Sequence, residues 1–160
     1  MDIETRNKNF RFAWLGTFMA GMAFSEAIPF LSLYIAQLGN FTEAQVGLYT
    51  GLSYAASYIV VIVVSPFWGK IADKYGRKPM LIRTSFGMAI VISLIGCATS
   101  VWQIIILRMF QGFFDGYSPS AIALISAETP QKQKTKIVAT LSTGYILGGL
   151  LGPIFGGLLG

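Results

Sequence analysis

Three ionisable side chains stand deep in apolar sequence. Between Phe12 and Gly69 the only charged residues are Glu26 and Glu43, and between Thr84 and Gln131 the only ones are Arg108, Asp115 and Glu128. A charge in a bilayer core is costly, so such residues turn toward protein or water and mark ion or substrate pathways. A buried carboxyl can carry a proton, because desolvation and a nearby guanidinium act on its proton affinity in opposite senses. Glu26 is therefore a candidate proton carrier or a carboxylate that recognises a cation. Asp115 is the rival carrier, and Arg108 is the charge that perturbs it or Glu26. By helix rise Arg108 lies about 10 Å, and Glu26 about 15 Å, from the outer end of its helix. Arg108 and Asp115 are seven residues apart, a spacing that puts them on one face of a continuous helix. The alternatives are structural: Arg108 bonded to backbone carbonyls, and Glu26 buried with only a packing partner.

A second group is denser. Gly69-Lys70-Ile71-Ala72-Asp73-Lys74-Tyr75-Gly76-Arg77-Lys78 sets an acid and a base about one helical turn apart, where they can form a switchable charge network. Gly69 permits close approach of a neighbouring helix, and Gly76 a tight turn. The plainer alternative is a solvated basic loop. Enzymatic chemistry has no support, because no nucleophile–base pair, metal set or phosphate-binding loop is present. The chain has no His and one Cys, Cys97, in an apolar run. That excludes a disulfide framework within the chain and a Cys/His metal cluster, and no cofactor is expected.

The elements that must position these residues are membrane helices. The 160 residues are 54% hydrophobic and 12% charged, with a mean hydropathy of +0.62; soluble domains carry about 25% charged residues. A bilayer core takes roughly 20 apolar residues per helix. The sequence predicts five spans, over 11–36, 43–68, 79–98, 101–126 and 137–160. Pro29 predicts a kink near Ala27–Phe30. Thr42 with Gln45 predicts a capping box, and Pro79 suits a first helical turn. The first apolar run is longer than a signal-peptide core and is read as an uncleaved span. Of the 12 Lys and Arg, all but Arg108 flank the spans on one side. The positive-inside rule makes that side cytoplasmic, with the N-terminus inside. The net charge of +5 then reflects topology, and no basic stretch interleaved with aromatics suggests nucleic acid. The last apolar run is still open at Gly160, as expected of a chain cut inside a larger domain.

The segment Gly69–Lys78 is similar to the signature loop G-x-x-x-D-x-x-G-R-K/R of the major facilitator superfamily, and it sits between spans 2 and 3 as in that family. The resemblance implies an all-α polytopic bundle, here the first five helices of a six-helix N-terminal half, with the sixth span and the second half absent. It implies that Asp73 faces a helix N-terminus of the missing half, where a carboxylate is favourable. It also implies that Arg77 pairs with Glu128, giving an Asp73–Arg77–Glu128 relay that holds and releases the two halves. Leu107-Arg108-Met109-Phe110-Gln111-Gly112 resembles the family's R-x-x-Q-G motif, in which the Arg is tied to proton coupling.

Span 5 carries Gly144, Gly148, Gly152, Gly156 and Gly160 at every fourth position, a ridge for backbone-close packing. Gly149, Pro153 and Gly157 form a second strip, and Pro153 predicts a bend. Gly148, Gly152, Pro153, Gly156 and Gly157 resemble the antiporter motif G-x-x-x-G-P-x-x-G-G. Ala139 stands where the longer motif often has Gly. The likeness is to the twelve-span drug:proton antiporter branch. It implies a multi-pass protein of the cell membrane that moves a small lipophilic molecule outward by alternating access, driven by a proton gradient, with the lipid bilayer and its own second half as partners. Tyr54 and Tyr58 share a face of span 2, and Phe113, Phe114 and Tyr117 cluster in span 4. These aromatics suit a flat lipophilic cation or equally lipid and bundle contact. A metabolite or sugar transporter of the same superfamily, or a truncated fragment that transports nothing, are the alternatives.

Overall fold

The computed structural model describes the backbone of residues 3–127 and 129–159, and the side chains of 9–25, 29–127 and 129–158. Six helices follow in order: α1 (Ile3–Gln37), α2 (Glu43–Tyr75), α3 (Arg77–Gly96), α4 (Val101–Phe114), α5 (Tyr117–Ala127) and α6 (Gln131–Leu159). Three of them, α2, α3 and α6, are long and apolar enough to cross a membrane, and the two parts of α1 around residues 26–28 supply a fourth if taken as one span. The most apolar window of α2 is only 6% buried inside the structure. Ile62 and Val63 are each 71% exposed, a surface that demands an apolar surrounding rather than water.

The chain divides into two compact units, residues 1–29 with 117–160, and residues 30–116. In the first unit, Ala13, Ile125 and Leu141 form a small core with Phe10, Trp14, Ile122 and Ile137 around it. The contact beside it is made of backbone. A Cβ at Gly148 would collide with the Phe18 carbonyl, one at Gly152 with Ser25 and the Met22 carbonyl, and one at Gly144 would stand 3.1 Å from the Trp14 carbonyl oxygen. Three glycines of the expected ridge thus bring α6 against α1, and van der Waals contact between backbones is what a membrane offers in place of a hydrophobic driving force. Thr17 is fully buried and satisfies its hydroxyl on the carbonyls of Ala13 at 2.8 Å and Trp14 at 2.9 Å.

In the second unit, residues 30–37 of α1 join α2, α3 and α4. Leu31, Ile35, Ala98, Val101 and Ile104 form the core, and the Tyr34 hydroxyl donates to the Ala98 carbonyl at 2.6 Å. The capping box opens α2: Gln45 N–H donates to Thr42 Oγ1 at 3.4 Å, and Thr42 N–H to Gln45 Oε1 at 2.9 Å.

Several expectations need correction. The helix expected to end at 68 continues to Tyr75, so Gly69 lies inside α2 and not at its exit. A Cβ there meets nothing within 4 Å among the described residues. Hydropathy falls at Lys70, but Lys, Ile and Ala are all accepted in helices, so helix outlasts apolarity. The turn is Gly76 alone, at φ 90°, and its N–H bonds the Ala72 carbonyl at 2.9 Å. The continuous helix expected over 101–126 is broken after Phe114. Gly116 has φ 116°, and the Asp115 carboxylate accepts the Gly116 N–H at 2.6 Å, a local bond that competes with the helix ladder. Pro119 has no N–H for the Asp115 carbonyl four residues back. The kink expected near Ala27–Phe30 falls largely on residues outside the described side chains. The helix that carries the apolar run from 137 starts earlier, at Gln131 in the basic segment, and continues past Pro153.

Candidate functional site

Arg108 projects from α4 in the second unit and is 3% exposed. Its Nη1 donates to Gln111 Oε1 at 2.8 Å and its Nη2 to the Tyr54 hydroxyl at 3.4 Å. The guanidinium lies 4.7 Å from the Tyr54 ring centroid. Gln111 follows Arg108 by three residues, so α4 presents both on one face, and Tyr54 reaches them from α2. The helices come this close because Gly112 has no side chain: a Cβ there would collide with the Ser57 carbonyl. Ser57 Oγ, for its part, donates to the Arg108 carbonyl at 2.7 Å. Arg108 Nε and Thr50 Oγ1 are buried and without a hydrogen-bond partner among the described residues. Thr50 precedes Tyr54 by one turn of α2. A buried guanidinium with a free donor, ringed by neutral groups, can take an acceptor, either a carboxylate or a polar atom of a passing molecule.

Arg108 and Asp115 do not meet. Among the described residues no carboxylate lies within 4.0 Å of Arg108, and Asp115 stands beyond the end of α4, turned onto Gly116. The break removes the shared face that a continuous helix would have given them. Glu26 lies outside the described side chains, and Glu128 outside the described residues.

The cation beside Asp115 is Arg83 of α3, which the sequence reading counted only among the basic flanks. Its guanidinium stacks on Trp68 at 3.6 Å from the ring centroid and lies 5.9 Å from that of Phe114. Nη1 donates to the Phe113 carbonyl at 3.4 Å, and Nη2 donates to the Asp115 carbonyl at 3.4 Å and to Thr84 Oγ1 at 3.2 Å. Trp68 Nε1 donates to the same Phe113 carbonyl at 3.0 Å. The available signal was Arg83 itself, a cation inside an apolar run more than a turn beyond the charged segment.

Where α2 gives way to α3, Arg77 Nη2 of α3 and Asp73 Oδ1 of α2 pair at 2.6 Å, with side chains 35% and 70% exposed. The pair spans the Gly76 turn, and Lys78 beside it is exposed. In α6, Gly148 and Gly152 are buried in the first unit, Gly156 is half-buried, and Pro153 and Gly157 are exposed.

The model of the Major Facilitator Superfamily matches residues 13–160. The chain belongs to that superfamily. It is 41% identical, over 99% of its length, to the Multidrug resistance protein MdtG of Proteus mirabilis (strain HI4320), of which it covers 40%. It is 44% identical, over 95% of its length, to the protein of the same name from Citrobacter koseri, covering 37% of it. The Salmonella arizonae protein of that name gives 44% identity over 95% of the chain and 38% of the relative. The chain therefore spans about two-fifths of the length of these relatives. As a superfamily member with several apolar helices, it is a multi-pass membrane protein. Within the superfamily frame, the Asp73–Arg77 pair sits in the signature segment, and Arg108, Gln111 and Gly112 occupy the R-x-x-Q-G motif. That motif is here a contact between α2 and α4 as much as a charge: its Gly brings Ser57 and Tyr54 to its Arg.

Proposed function

We propose that this chain is the N-terminal part of a proton-driven exporter of lipophilic compounds that works by alternating access. The observation that carries the reading is Arg108, a guanidinium 3% exposed in an apolar helix, held only by the neutral groups Gln111 and Tyr54 among the described residues. Such a charge is retained in a membrane interior for function far more readily than for stability. The relatives' name, multidrug resistance protein, supports a drug-like cargo. The rings of Tyr54 and Tyr58 suit a flat cation. In this reading Glu26 or Asp115 carries the proton and Arg108 modulates it. The Asp73–Arg77 pair, with Lys78 beside it and Glu128 as third member, latches the cytoplasmic side against the second half. Gly148 and Gly152 pack α6 against α1, and with Pro153, Gly156 and Gly157 they complete the antiporter pattern of that helix. The protein sits in the cell membrane with its N-terminus cytoplasmic, and uses the proton gradient in place of any cofactor.

The test is loss of ethidium from cells lacking their own drug pumps, expressing the full-length protein that contains this chain. Efflux that a protonophore abolishes supports the reading. Confirmed membrane insertion with no efflux of any lipophilic dye refutes it and favours a metabolite transporter of the superfamily. Glu26→Gln and Asp115→Asn then separate the carriers: the substitution that abolishes coupled efflux marks the group that carries the proton.

A further inference from the structure

The end of α4 presents a problem of backbone accounting. The last carbonyls of a helix have no partner within it, and here the next residues cannot supply one. Pro119 lacks the N–H that would bond the Asp115 carbonyl, and Gly116 at φ 116° has left the helical region. In water such carbonyls would be hydrated. In a membrane bundle they need donors from protein.

Those donors come from two other helices. The Phe113 carbonyl receives Trp68 Nε1 from α2 at 3.0 Å and Arg83 Nη1 from α3 at 3.4 Å. The Asp115 carbonyl receives Arg83 Nη2 at 3.4 Å, and Thr84 Oγ1, itself 1% exposed, anchors that same nitrogen at 3.2 Å. The Trp68 indole lies under the guanidinium at 3.6 Å and meets the Phe113 ring edge-on at 5.2 Å. Phe114 closes the other side by packing over Gly87, where a Cβ would collide with its ring. A cation at a helix C-terminus is also favoured by the helix dipole. One planar fork thus bridges two carbonyls on either side of Phe114, an arrangement that a lysine ammonium cannot reproduce.

We infer that Arg83 is a positioning residue for the coupling step: by bridging the Phe113 and Asp115 carbonyls it fixes the end of α4, and so the place from which the Asp115 carboxylate acts. The inference rests on the reading of Asp115 as a proton-coupling group. Arg83 touches the backbone of that residue, so it works through placement and not by contact with cargo.

The experiment compares full-length wild type with Arg83→Gln, Arg83→Lys and Asp115→Asn by two readouts. The first is hydrogen–deuterium exchange of the segment 113–118 in purified protein, which needs no transport. Arg83→Gln should speed exchange of the Asp115 and Gly116 amides about tenfold, the effect of losing charged hydrogen bonds at a helix end. Arg83→Lys should recover little of it. Unchanged exchange in Arg83→Gln, or full recovery by Lys, overturns the positioning role whether or not the protein is an exporter. The second readout is dye efflux under an imposed pH gradient. Arg83→Gln should lower the maximal rate roughly ten- to a hundredfold, as displaced catalytic groups do, with the half-saturating dye concentration unchanged. Combined with Asp115→Asn it should add no further loss. Faster exchange with normal efflux, or losses that multiply in the double variant, refutes the link to coupling. Absence of efflux from wild type would instead refute the exporter reading, while exchange still judges Arg83. Should the Arg83 variants not fold, Thr84→Val, which removes only the hydroxyl that anchors Nη2, must shift exchange in the same direction, and no shift overturns the proposal.

Discussion

Replacing Gly112 by Ala should damage both stability and function, because the added methyl points at backbone. A Cβ at this position would stand 3.0 Å from the Ser57 carbonyl carbon and 3.2 Å from its Cα, and would overlap the carbonyl oxygen. Carbon atoms in good contact are about 3.5–4.0 Å apart, so α2 and α4 must separate by roughly 0.5–1 Å. No side chain can rotate away to relieve it. Overpacking of this kind destabilises by about 1–3 kcal/mol. The same movement stretches the bond from Ser57 Oγ to the Arg108 carbonyl, now 2.7 Å, which contributes about 1 kcal/mol. It also breaks the bond from Arg108 to Tyr54, already 3.4 Å. The total is about 2–4 kcal/mol, read as the unfolding midpoint of purified full-length protein by tryptophan fluorescence. Gly96→Ala is the matched control, since its Cβ would meet nothing within 4 Å. A midpoint for Gly112→Ala no lower than that of Gly96→Ala would refute the idea that backbone contact at this glycine sets the α2–α4 distance. Gly112→Val should be worse than Ala, and a reversed order would be equally damaging.

Other perturbations separate structure from function. Asp73→Asn removes an exposed pair, so thermal stability should change by less than about 1 kcal/mol while efflux is lost; unchanged efflux would remove the pair from the gate. If Glu128→Gln leaves efflux intact while Asp73→Asn abolishes it, Glu128 is not in the relay. Thr42→Ala breaks the capping box and should destabilise by about 1 kcal/mol, seen as a lower midpoint with efflux unaffected. Arg108→Lys keeps the charge but not the geometry that reaches Gln111 and Tyr54 together. Dye efflux should fall as far as in Arg108→Gln, and rescue by Lys would mean that charge alone suffices.

The sequence displayed apolar runs, caps and small-residue periods well, because each is written in local residue types. The α6 ridge was legible for that reason, and three of its glycines do meet α1 backbone. Hydropathy failed where helix and apolarity part company. It stopped α2 at 68 although helix formers continue to Tyr75, and it carried α4 through Asp115-Gly116 because an apolar average does not count hydrogen bonds. Pro119 was the overlooked sign, since it deletes a donor for a carbonyl in the middle of the run. Gln111 as a partner of Arg108 was within reach of helical spacing. Tyr54 and the Trp68–Arg83 stack were not, because both depend on how separate helices face one another.

The backbone contact between α1 and α6 also bears on how the protein is made. Its two surfaces come from opposite ends of the chain: Trp14, Phe18 and Met22 are synthesised long before Gly144, Gly148 and Gly152. At ribosomal speeds of about 5–20 residues per second, the first helix waits on the order of ten seconds for this partner. During that time it must be held by lipid or by the insertion machinery, with Thr17 already satisfied by its own helix. A helix that bonds its polar group to itself presents no unsatisfied hydroxyl at Thr17 to a passing neighbour during that wait. The late-arriving α6 brings the glycines that this contact requires, so the backbone seam between α1 and α6 can form only after Gly152 has been made.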